Sequence, residues 1–397
     1  MDVKAGPEAL RLTGRQPISI ETFAEISTRC GKVVDRVRNA MLAPQAVKKP
    51  PVFQTAQMAG VTGLDSKQVD YRAKRGDLPA GQMTTPGHRR VFSLKDMRAW
   101  SSELRKAKLR PDGAEALTIV AANFKGGVTK TTTAVTIAQG LSMRGHKVLF
   151  IDADPQGSAT TLFGILPDVE IDEDNTILPL CRGDQESIEY AIRSTYWDGI
   201  DLVPAVSGLF SAEFDLPARQ MSTRNFEFWN VLHNGIDNAR LNYDVIIIDT
   251  PPALSYITIN ALMAADGIVM PLPPNALDFL SSSQFWGLVS VLTQGLQKHG
   301  ATKQYDFIDV VLSKVDPDDA ATPVVREWIT AAYGEKVVSA EIPWTGTAGS
   351  ASAEFGTVYD QPRKRATQAY DRLVDLVEEQ IGAAWMRQLA AQTREQA

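Results

Sequence analysis

The segment at residues 125–133 restricts the fold of this chain more than any other feature. It reads Lys-Gly-Gly-Val-Thr-Lys-Thr-Thr-Thr and lies between an apolar run at 117–122 and an amphipathic helical pattern at 132–143. A strand, a loop of small and hydroxyl residues and a helix, in this order, suit an anion, because successive backbone N–H groups and the helix N-terminus attract negative charge. The predicted phosphate contacts are Lys125, Gly126, Gly127, Val128, Thr129, Lys130, Thr131 and Thr132.

The loop departs from the common G-x-x-x-x-G-K-[ST] pattern. Lys130 is expected to reach terminal phosphates, and Thr131 is expected to place its hydroxyl on Mg²⁺. Phe124 and Thr129 occupy the positions of the two glycines, and Lys125 is an additional lysine at the start of the loop. If the loop requires a positive φ at Thr129, the threonine costs about 1 kcal/mol or more relative to glycine.

Residues 111–397 alternate short apolar runs with helical patterns, which predicts a mainly parallel, doubly wound α/β sheet. The predicted strands lie at 118–122, 147–151, 201–203, 244–248, 267–271, 307–312 and 336–342. In such sheets, ligands bind beyond the carboxyl ends of the strands. The loop follows the first predicted strand, so it lies at the edge where a ligand is expected.

Carboxylates follow two other predicted strands. Asp152 and Asp154 come after the strand at 147–151, and Asp249 comes after the strand at 244–248. Beside a phosphate loop, acidic groups suit a nucleotide with Mg²⁺, because the dication neutralises phosphate charge. A single Asp after a strand is usually a cap or turn residue, but three elements in this order favour a nucleotide site.

We assign Asp249 to the Mg²⁺ side of the site, Asp152 to support of the metal shell and Asp154 to orientation of the attacking water. The predicted catalytic residues are therefore Lys125, Lys130, Asp154 and Asp249, and the predicted metal residues are Thr131, Asp152 and Asp249.

Charge is distributed unevenly along the chain. Residues 1–117 hold 21 basic and 12 acidic side chains, whereas the remainder holds 20 basic and 35 acidic ones. This asymmetry favours an N-terminal part that binds nucleic acid, although a chance excess of surface cations is the alternative. The chain has two cysteines, Cys30 and Cys181, which are too few and too distant for a disulfide or metal framework. That usage fits a reducing cytosol.

The N-terminal 50 residues are predicted to be a loose segment at 1–17, a helix at 18–42 and a linker. Apolar residues recur in the helix at steps of three and four and form a stripe on one face. A lone helix does not keep such a stripe in water, so it docks either on its own domain or on a second copy. We assign residues 1–50 to a dimerisation helix and linker.

Residues 51–110 carry the pattern of a winged helix-turn-helix domain, similar to the wing-and-helix domain of MerR-type regulators. Helices are predicted at 54–59, 65–75 and 94–108, with Asp65 as a cap and a wing that turns at 86–87. The residues predicted to face DNA are Ser66, Lys67, Gln68, Tyr71 and Arg72 in the major groove, and Arg89 and Arg90 on phosphate or in the minor groove. A small basic domain with a solvated face is the alternative.

Together, Lys-Gly-Gly-Val-x-Lys-Thr at 125–131, Asp-x-Asp-Pro-Gln-Gly at 152–157 and Ile-Ile-Asp-Thr-Pro-Pro at 247–252 resemble the ParA partition ATPases of the deviant Walker A class. The resemblance covers roughly residues 117–360. The N-terminal segments resemble the larger plasmid ParA proteins, which carry their own operator-binding domain. The implied fold is a P-loop NTPase domain at 111–397 that follows a winged helix-turn-helix domain.

The resemblance implies a cytoplasmic, nucleoid-associated homodimer that encloses two ATP molecules with Mg²⁺, with Lys125 reaching the nucleotide of the partner. The ATP dimer would bind non-specific DNA and a ParB-type centromere-binding protein that stimulates slow hydrolysis. The ADP or apo form would bind operator DNA and repress its own operon. Residues 313–316 and the loop after Pro343 would lie near the base, although a capping turn fits 313–316 equally well.

For non-specific DNA, the basic residues Arg363, Lys364 and Arg365 are the best cluster in the C-terminal half, and a solvated helix start is the alternative.

Three other functions are considered. A MinD-like positioning ATPase needs a basic amphipathic membrane helix, but the pattern at 377–389 contains Glu378 and Glu379, and we interpret it as a packing helix. No apolar run approaches the ~18 residues of a membrane span. An iron-protein-like reductase needs paired cysteines that the sequence lacks. An ATP-sensing repressor without a motor role remains the third alternative.

Overall fold

The computed structural model describes residues 19–41, 48–84, 89–344 and 356–395, and its contacts divide the chain into two compact units, Met1–Lys48 and Lys49–Ala397. The first unit contains α1 (Glu21–Met41), which agrees with the helix predicted at 18–42. The apolar side chains Ile20, Phe23, Ile26 and Val33 are exposed. The loose segment predicted at 1–17 lies outside the described residues.

The second unit begins with three helices and a small antiparallel sheet, in the order expected for a winged helix-turn-helix. Its elements are β1 (Phe53–Gln54), α2 (Thr55–Thr62), α3 (Ser66–Arg75), β2 (Gln82–Thr84), β3 (Arg89–Phe92) and α4 (Leu94–Leu104). The three strands form an antiparallel sheet in the order β1-β3-β2. The helices match the predicted pattern, except that α2 extends to Thr62 and a 3-10 turn (Lys106–Lys108) replaces the end of the third helix. The wing turn predicted at 86–87 lies outside the described residues.

The cap predicted at Asp65 is present at the start of α3. The Asp65 carboxylate accepts the N–H of Gln68 at 2.8 Å, and the Gln68 side chain accepts the N–H of Asp65 at 2.9 Å. This reciprocal pair satisfies two donors that the first turn of a helix leaves open. Gly63 and Gly76 end α2 and α3 with left-handed backbones. The helix-turn-helix is therefore determined locally by its sequence.

A seven-stranded sheet forms the centre of the second unit. Its strands are β4 (Leu117–Ala121), β5 (Val148–Asp152), β6 (Arg193–Ser194), β7 (Ile200–Val203), β8 (Val245–Asp249), β9 (Gly267–Leu272) and β10 (Phe307–Leu312). The order is β10-β9-β4-β8-β5-β7-β6, and every neighbouring pair is parallel except β6 and β7. The mainly parallel sheet is confirmed, and six of the predicted strands are present within a residue or two. The short edge strand β6 was not predicted.

The seventh predicted strand, at 336–342, is wrong. A 3-10 turn occupies Gly334–Lys336, and the following segment makes only isolated parallel bridges, Val310 with Val337 and Val315 with Pro343. The backbone N–H groups of residues 338 and 342 bond to the carbonyls of residues 310 and 312. Four residues of this segment therefore span two residues of β10, so the segment bulges and a continuous ladder does not form.

Helices cover both faces of the sheet. They are α5 (Lys130–Met143), α6 (Ser158–Leu162), α7 (Leu178–Arg182), α8 (Ala212–Ser222), α9 (Val231–Gly235), α10 (Asp237–Asn242), α11 (Tyr256–Ala264), α12 (Ala276–Gln297), α13 (Thr322–Tyr333) and α14 (Lys364–Glu395). In β4, Leu117 and Ile119 join the buried cluster that contains α5 and α14, whereas Val120 joins the cluster that contains α11 to α13. Because successive side chains face opposite layers, a strand buried on both faces is continuously apolar.

One buried cluster joins the winged domain to the sheet. Phe53, Met58, Phe92 and Trp100 belong to the same cluster as α5 and the apolar side of α14. Residues 49–397 consequently form one compact unit, and the boundary predicted at residue 110 separates two folds that share a core. Most apolar residues of α14, including Val377 and Trp385, are buried, as expected of a packing helix, whereas Met386 is exposed.

A buried ion cluster lies at this junction. Glu378 of α14 makes a 3.0 Å hydrogen bond with Nε2 of His146 and forms an ion pair with Arg105, which follows α4. The side chain of Glu378 is 3% exposed and that of Arg105 is 12% exposed. Burial alone would raise the pKa of Glu378, but hydrogen bonds from His146 and Arg105 outweigh burial and lower it to about 2. The carboxylate therefore stabilises the folded state while it is charged.

We expect Glu378→Gln to lower the free energy of unfolding at pH 7 by roughly 3 kcal/mol, because Arg105 would keep a buried charge without its partner. The folded pKa is depressed below the ordinary 4.5, so the stabilisation is complete above about pH 4.5 and is lost as pH falls toward 2. Urea unfolding at pH 7 and at pH 3.5 should show a smaller difference from the parent at the lower pH. The exposed neighbour Glu379→Gln is the control. Equal losses in both variants would contradict the assignment.

Candidate functional site

The predicted phosphate loop joins the carboxyl end of β4 to α5. After β4 the chain continues to β5, which lies on one side of β4 in the sheet, whereas β9 lies on the other side. The loop therefore lies at the point where the strand order reverses. Gly126 and Gly127 are exposed, and a Cβ built on either would have no heavy atom within 4 Å. Gly127 has a φ of 74°. The loop is therefore an open cradle of backbone that an anion can approach.

Thr129 adopts the backbone conformation for which the common pattern uses glycine. Its φ is 75° and its ψ is 21°, which lie in the left-handed region. A threonine in this conformation costs about 1 kcal/mol or more relative to glycine. Its hydroxyl oxygen lies 3.3 Å from that of Thr133, which lies 3.4 Å from the hydroxyl of Tyr370 in α14. The strained residue is thus supported by polar contacts directly beside the loop.

Lys130 is the first residue of α5 and is almost completely buried, with 6% exposure. Its Nζ donates a hydrogen bond to the carbonyl oxygen of Lys125 at 3.0 Å. Burial lowers the pKa of Lys130, and the charges of Asp249 and Asp154 oppose that shift. A buried cation with a single carbonyl acceptor and nearby carboxylates is suited to an anionic ligand.

Asp249, the last residue of β8, is fully buried, and neither of its carboxylate oxygens has a hydrogen bond of ordinary geometry. The Thr131 side chain is nonetheless close enough to favour the charged form. Burial, followed by repulsion from Asp152, raises the pKa of Asp249 well above its ordinary value. An unpartnered buried carboxylate beside a hydroxyl fits Mg²⁺, which prefers hard oxygen ligands.

Asp152 has a different set of partners from Asp249. One of its oxygens accepts the N–H of Asp154 at 3.2 Å, and the other accepts the N–H and the hydroxyl of Thr160 at 2.8 and 2.7 Å. Burial raises the pKa of Asp152 to about 7. Its carboxylate holds α6 against the end of β5, and it influences Asp249 through charge.

Asp154 lies in the turn after β5 and is 7% exposed. One of its oxygens accepts the N–H of Gln156 at 3.0 Å, which fixes the side chain within its own turn. Its charge favours the protonated form of Lys130, so the two groups are close enough to interact. The structure therefore brings Lys130, Asp152, Asp154 and Asp249 together beside the phosphate loop.

Lys125, at the start of the loop, extends toward α12. Its Nζ lies 3.9 Å from a carboxylate oxygen of Asp278, and its N–H donates to the side chain of Asn123 at 3.1 Å. Asn123 in turn donates to the carbonyl of Pro271 at 2.9 Å and connects the loop to β9. The sequence analysis missed Asn123 and Asp278. The sequence signal for Asp278 was its position as an acidic residue in the first turn of a helix that Asn275 caps.

A cleft with a volume of about 170 Å³ opens beside Thr129. Lys314, Pro343 and Trp344 line it, so residues of the segment at 313–316 and of the loop at Pro343 lie beside the phosphate loop. Arg363, which was assigned to DNA, also lines this cleft. The Nζ of Lys314 lies 5.2 Å from the ring centre of Trp344. The cleft therefore combines an aromatic surface with two cations.

The residues predicted to read DNA lie on α3 and on the wing. Ser66, Lys67, Gln68 and Tyr71 are exposed, Arg72 is half-buried, and four of these five residues line an open groove with Leu64. Arg89 is exposed, but the Arg90 side chain is only 15% exposed and lies 3.7 Å from Asp70. Arg90 thus attaches the wing to α3. Lys364 and Arg365 are exposed at the start of α14, on a separate element.

Within 19–41, 48–84, 89–344 and 356–395, no group of three or more His, Cys, Asp or Glu side chains is arranged to hold a metal ion. Among the helices in the same ranges, none is long and apolar enough to cross a membrane.

A doubly wound parallel sheet with a phosphate loop after its central strand, a buried lysine in that loop and carboxylates at neighbouring strand ends defines the class of P-loop nucleoside triphosphatases. The family model of an AAA domain matches residues 116–299. The chain is 32% identical to a putative replication protein A of Rhizobium rhizogenes, over 87% of this chain and 90% of that protein. It is 31% identical to the chromosome partitioning protein ParA of Caulobacter vibrioides, over 56% and 78%.

Two solved structures share the fold. A partition protein has a TM-score of 0.65 at 18% identity and covers 91% of this chain and 97% of its own. A cobyrinic acid a,c-diamide synthase from Mycobacterium smegmatis, with bound ADP and magnesium, has a TM-score of 0.52 at 26% identity, over 66% and 93%. With these relatives, the chain belongs to the family of ParA-type partition ATPases.

The different partners of Asp249 and Asp152 predict opposite effects of the same substitution on the ligand-free protein. Asp249→Asn should raise the free energy of unfolding at pH 8 by about 1 kcal/mol or more, because it removes a buried charge without partners. The folded pKa of Asp249 is raised, so its carboxylate destabilises increasingly as pH rises from the ordinary 3.8 through the folded value. Asp152→Asn should lower the free energy of unfolding by roughly 2 kcal/mol, because the Thr160 donors lose their acceptor.

Urea unfolding without nucleotide or Mg²⁺, at pH 6 and pH 8, measures both effects. The gain in Asp249→Asn should be larger at pH 8 than at pH 6. If both variants lose the same stability at pH 8, Asp249 has a partner in solution and does not provide an open ligand position.

Proposed function

We propose that this chain is an ATP-hydrolysing partition protein that acts as a Mg²⁺-dependent dimer on DNA and segregates a plasmid or another low-copy replicon. The observation that carries the proposal is the contrast inside the site. Lys130 and Asp249 are buried, ionisable groups with few partners among the described residues, next to an open loop of backbone donors. Buried ionisable side chains with few partners destabilise a ligand-free protein. They are retained at sites where a ligand supplies the missing partners.

ATP supplies what these groups lack. The loop N–H groups and Lys130 would bind the phosphates, while Thr131 and Asp249 would hold Mg²⁺. When bound, Mg²⁺ neutralises phosphate charge. Asp154 would orient the attacking water and hold its proton, and Asp152 would keep α6 and the turn at Asp154 in place through Thr160. The similar synthase with bound ADP and magnesium supports this choice of ligand.

The cleft beside Thr129 would take the nucleoside part of ATP. The cleft begins at the phosphate loop. One nucleotide could therefore place its base in the cleft and its phosphates on the loop N–H groups. Trp344 offers an aromatic surface, and the Lys314 and Arg363 side chains lie at its wall. Aromatic rings stack on bases in offset or edge geometry. Arg363 is therefore reassigned from DNA to the nucleotide.

Dimerisation is supported by two features, each described within its own unit. Lys125 is 42% exposed at the mouth of the loop and is held by a single ion pair to Asp278, so it is available to the nucleotide of a second copy. In the first unit, Phe23, Ile26 and Val33 form an exposed apolar stripe on α1. Such a stripe is covered when two helices pair through positions three and four apart.

Three substitutions separate the steps of the proposed reaction. Lys130→Ala should abolish Mg–ATP binding. Asp154→Ala should bind ATP and dimerise but lose at least about 100-fold in hydrolysis, because a group that positions and deprotonates water contributes on this scale. Lys125→Ala should bind ATP as a monomer and dimerise weakly. Binding of a fluorescent ATP analogue, phosphate release with DNA, and sedimentation velocity measure the three steps.

Loss of ATP binding in Asp154→Ala would show that its role is wrong, and an unchanged sedimentation profile of Lys125→Ala with ATP would do the same for Lys125. Turnover that survives in Lys130→Ala, with no stimulation by DNA in the parent, would reject the motor. Lys336→Ala, which removes an exposed lysine after α13, is the matched control.

Two surfaces are proposed for two kinds of DNA. In the ADP or apo form, α3 would read an operator through Lys67, Gln68, Tyr71 and Arg72, with Arg89 on phosphate, and would repress the operon of this protein. In the ATP dimer, Lys364 and Arg365 would hold DNA without sequence preference. A ParB-type centromere-binding protein would then stimulate hydrolysis, as the family membership suggests.

The second surface predicts a salt effect. Replacing both Lys364 and Arg365 with alanine should reduce the slope of log affinity against log salt by about 2, because each lost phosphate contact removes nearly one unit. Fluorescence anisotropy with ATP and a random-sequence duplex between 50 and 200 mM salt measures this slope. The double replacement of Lys298 and Lys336, which are exposed elsewhere, is the matched control. The same slope in both double variants would remove α14 from the DNA surface.

An ATP-sensing repressor without a motor role is the second candidate. The core shared by the winged domain and the sheet favours it, because a ligand sensor needs a firm connection to its DNA-binding part. The two candidates differ in turnover. A repressor would bind ATP with Lys130 and show no hydrolysis that DNA or a partner protein increases.

A further inference from the structure

One wall of the cleft beside Thr129 is a stretch of chain that forms neither helix nor strand. This stretch, residues 356–363, leads into α14. The residues of the stretch that line the cleft are Gly356, Thr357, Val358, Gln361 and Arg363. The N–H of Gln361 donates to the carbonyl of Thr357 at 3.1 Å, and we call residues 357–361 the wall turn. Because no regular ladder of backbone bonds fixes this segment, its side chains must determine its shape.

Asp360 attaches the wall turn to the edge of the large sheet. One of its carboxylate oxygens accepts the N–H of Thr357 at 2.9 Å, within the turn. The other accepts the hydroxyl of Tyr196 at 2.6 Å. Tyr196 lies between the edge strand β6 and β7, 164 residues earlier in the chain. A hydrogen bond to a carboxylate is stronger than one between neutral groups, so this contact holds the turn firmly.

Gln139 completes a ring of hydrogen bonds behind the wall turn. Its Nε2 donates to the hydroxyl of Tyr196 at 3.1 Å, and its Oε1 accepts the hydroxyl of Thr357 at 2.5 Å. The ring returns from Tyr196 to Thr357 through Asp360. Gln139 is fully buried and Thr357 is almost fully buried, so a ring member that loses its partner carries a desolvation cost.

The ring depends on the Tyr196 hydroxyl remaining a donor. Burial raises the pKa of Tyr196, and the charge of Asp360 and the hydrogen bond to it raise this pKa further. The hydroxyl is therefore protonated at neutral pH, and it donates to the carboxylate while it accepts from Gln139. This order fixes the amide of Gln139 with its nitrogen toward Tyr196 and its oxygen toward Thr357.

The wall turn also packs directly on α5 and α14. Gly140 follows Gln139 in α5, and a Cβ built on Gly140 would lie 2.5 Å from a methyl carbon of Val374 and 3.2 Å from the hydroxyl oxygen of Tyr359. A side chain at residue 140 would thus separate α5 from α14 and from the turn. The hydroxyl of Tyr359 donates to Asp371 of α14 at 2.8 Å. The turn is therefore held by two helices as well as by the edge of the sheet.

Helix α5 connects the wall turn to the phosphate loop. It begins with Lys130, and Gln139 follows nine residues later. At 1.5 Å per residue, the two residues lie about 14 Å apart along the helix. One rigid element therefore sets the distance between the loop that would hold the phosphates and the wall of the cleft that would hold the nucleoside.

We propose that Tyr196 and Gln139 are positioning residues for the nucleoside part of ATP. Through Asp360 and Thr357 they hold the wall turn at a fixed distance from the phosphate loop. Neither is among the residues that line the cleft, so neither touches the ligand. The inference rests on the proposed function, because it needs the nucleoside in the cleft. Loss of a ring member weakens the contacts of the nucleoside and leaves those of the phosphates intact.

Inorganic tripolyphosphate separates the two contributions, because it carries the phosphates of ATP without the nucleoside. Titration calorimetry of the full chain with Mg–ATP and with Mg–tripolyphosphate measures both affinities. Tyr196→Phe removes one hydroxyl and should weaken Mg–ATP binding about tenfold, the scale of one hydrogen bond to a charged group. Its affinity for tripolyphosphate should equal that of the parent. Gln139→Met, which removes the opposite member of the ring at similar volume, should show the same selective loss.

Tyr305→Phe is the matched control. It removes a tyrosine hydroxyl that donates to the carbonyl of Leu262 at 3.0 Å, and Tyr305 precedes β10, at the sheet edge opposite the phosphate loop. This variant should match the parent for both ligands.

Equal losses of both ligands in Tyr196→Phe and Gln139→Met overturn the proposal, because the ring would then serve general stability alone. Unchanged Mg–ATP affinity in these two variants overturns it as well. A parent that binds Mg–tripolyphosphate as tightly as Mg–ATP overturns this inference and leaves the phosphate loop in place. A parent that binds neither ligand overturns the proposed nucleotide function together with it, so the two failures are distinguishable.

Discussion

The burial of Lys130 beside the carboxylates of β5 and β8 is the constraint on which the remainder of the structure depends. A buried lysine with one carbonyl acceptor and a buried carboxylate without a hydrogen bond destabilise a protein, so the rest of the fold must offset their cost. Here the surroundings are the central strands of a sheet covered on both faces, whose apolar side chains are almost completely buried. Asp152 is fully hydrogen-bonded and secures α6, so the uncompensated charge is limited to Asp249 and Lys130. The sheet supplies the stability that the site costs.

The strained backbone at Thr129 belongs to the same arrangement. A left-handed threonine is unfavourable, but its hydroxyl and those of Thr133 and Tyr370 form a chain of contacts that ends in α14. Glycine would relieve the strain and lose that connection. The loop therefore exchanges local conformational freedom for attachment to the C-terminal helix. This helix also contributes Glu378 to the junction, and Arg363, directly before it, lines the cleft. The C-terminal helix thus supports the nucleotide site and the winged domain simultaneously.

Sequence periodicity predicted the elements whose causes are local or periodic. The buried strands appear as apolar runs, and Asp65 with Gln68 specifies the start of α3 within four residues. The errors occur where tertiary contacts decide. The segment at 336–342 has strand-like composition but bulges from β10. Between residues 338 and 342 it uses four residues to pass two residues of β10. The DNA contacts of Arg90 and Arg363 stay predictions, but tertiary neighbours decide where both side chains lie. Arg90 lies beside Asp70, and Arg363 lines the cleft. Asp278 was missed because its role depends on Lys125, about 150 residues away.

The junction between the winged domain and the sheet could not be predicted from sequence for the same reason. Arg98 and Ser101 occupy ordinary positions in α4, and Arg105 follows that helix. Nothing local indicates that the first two contact the end of α5 or that Arg105 pairs with Glu378. Their effect appears only in the folded structure, where the carbonyl of Met143 at the end of α5 accepts the hydroxyl of Ser101. A nucleotide-binding domain without residues 49–110 would expose part of the core and leave the Met143 carbonyl without this donor. Residues 49–110 therefore share a buried core with the sheet, and hydrogen bonds from Arg98 and Ser101 hold α4 at the end of α5.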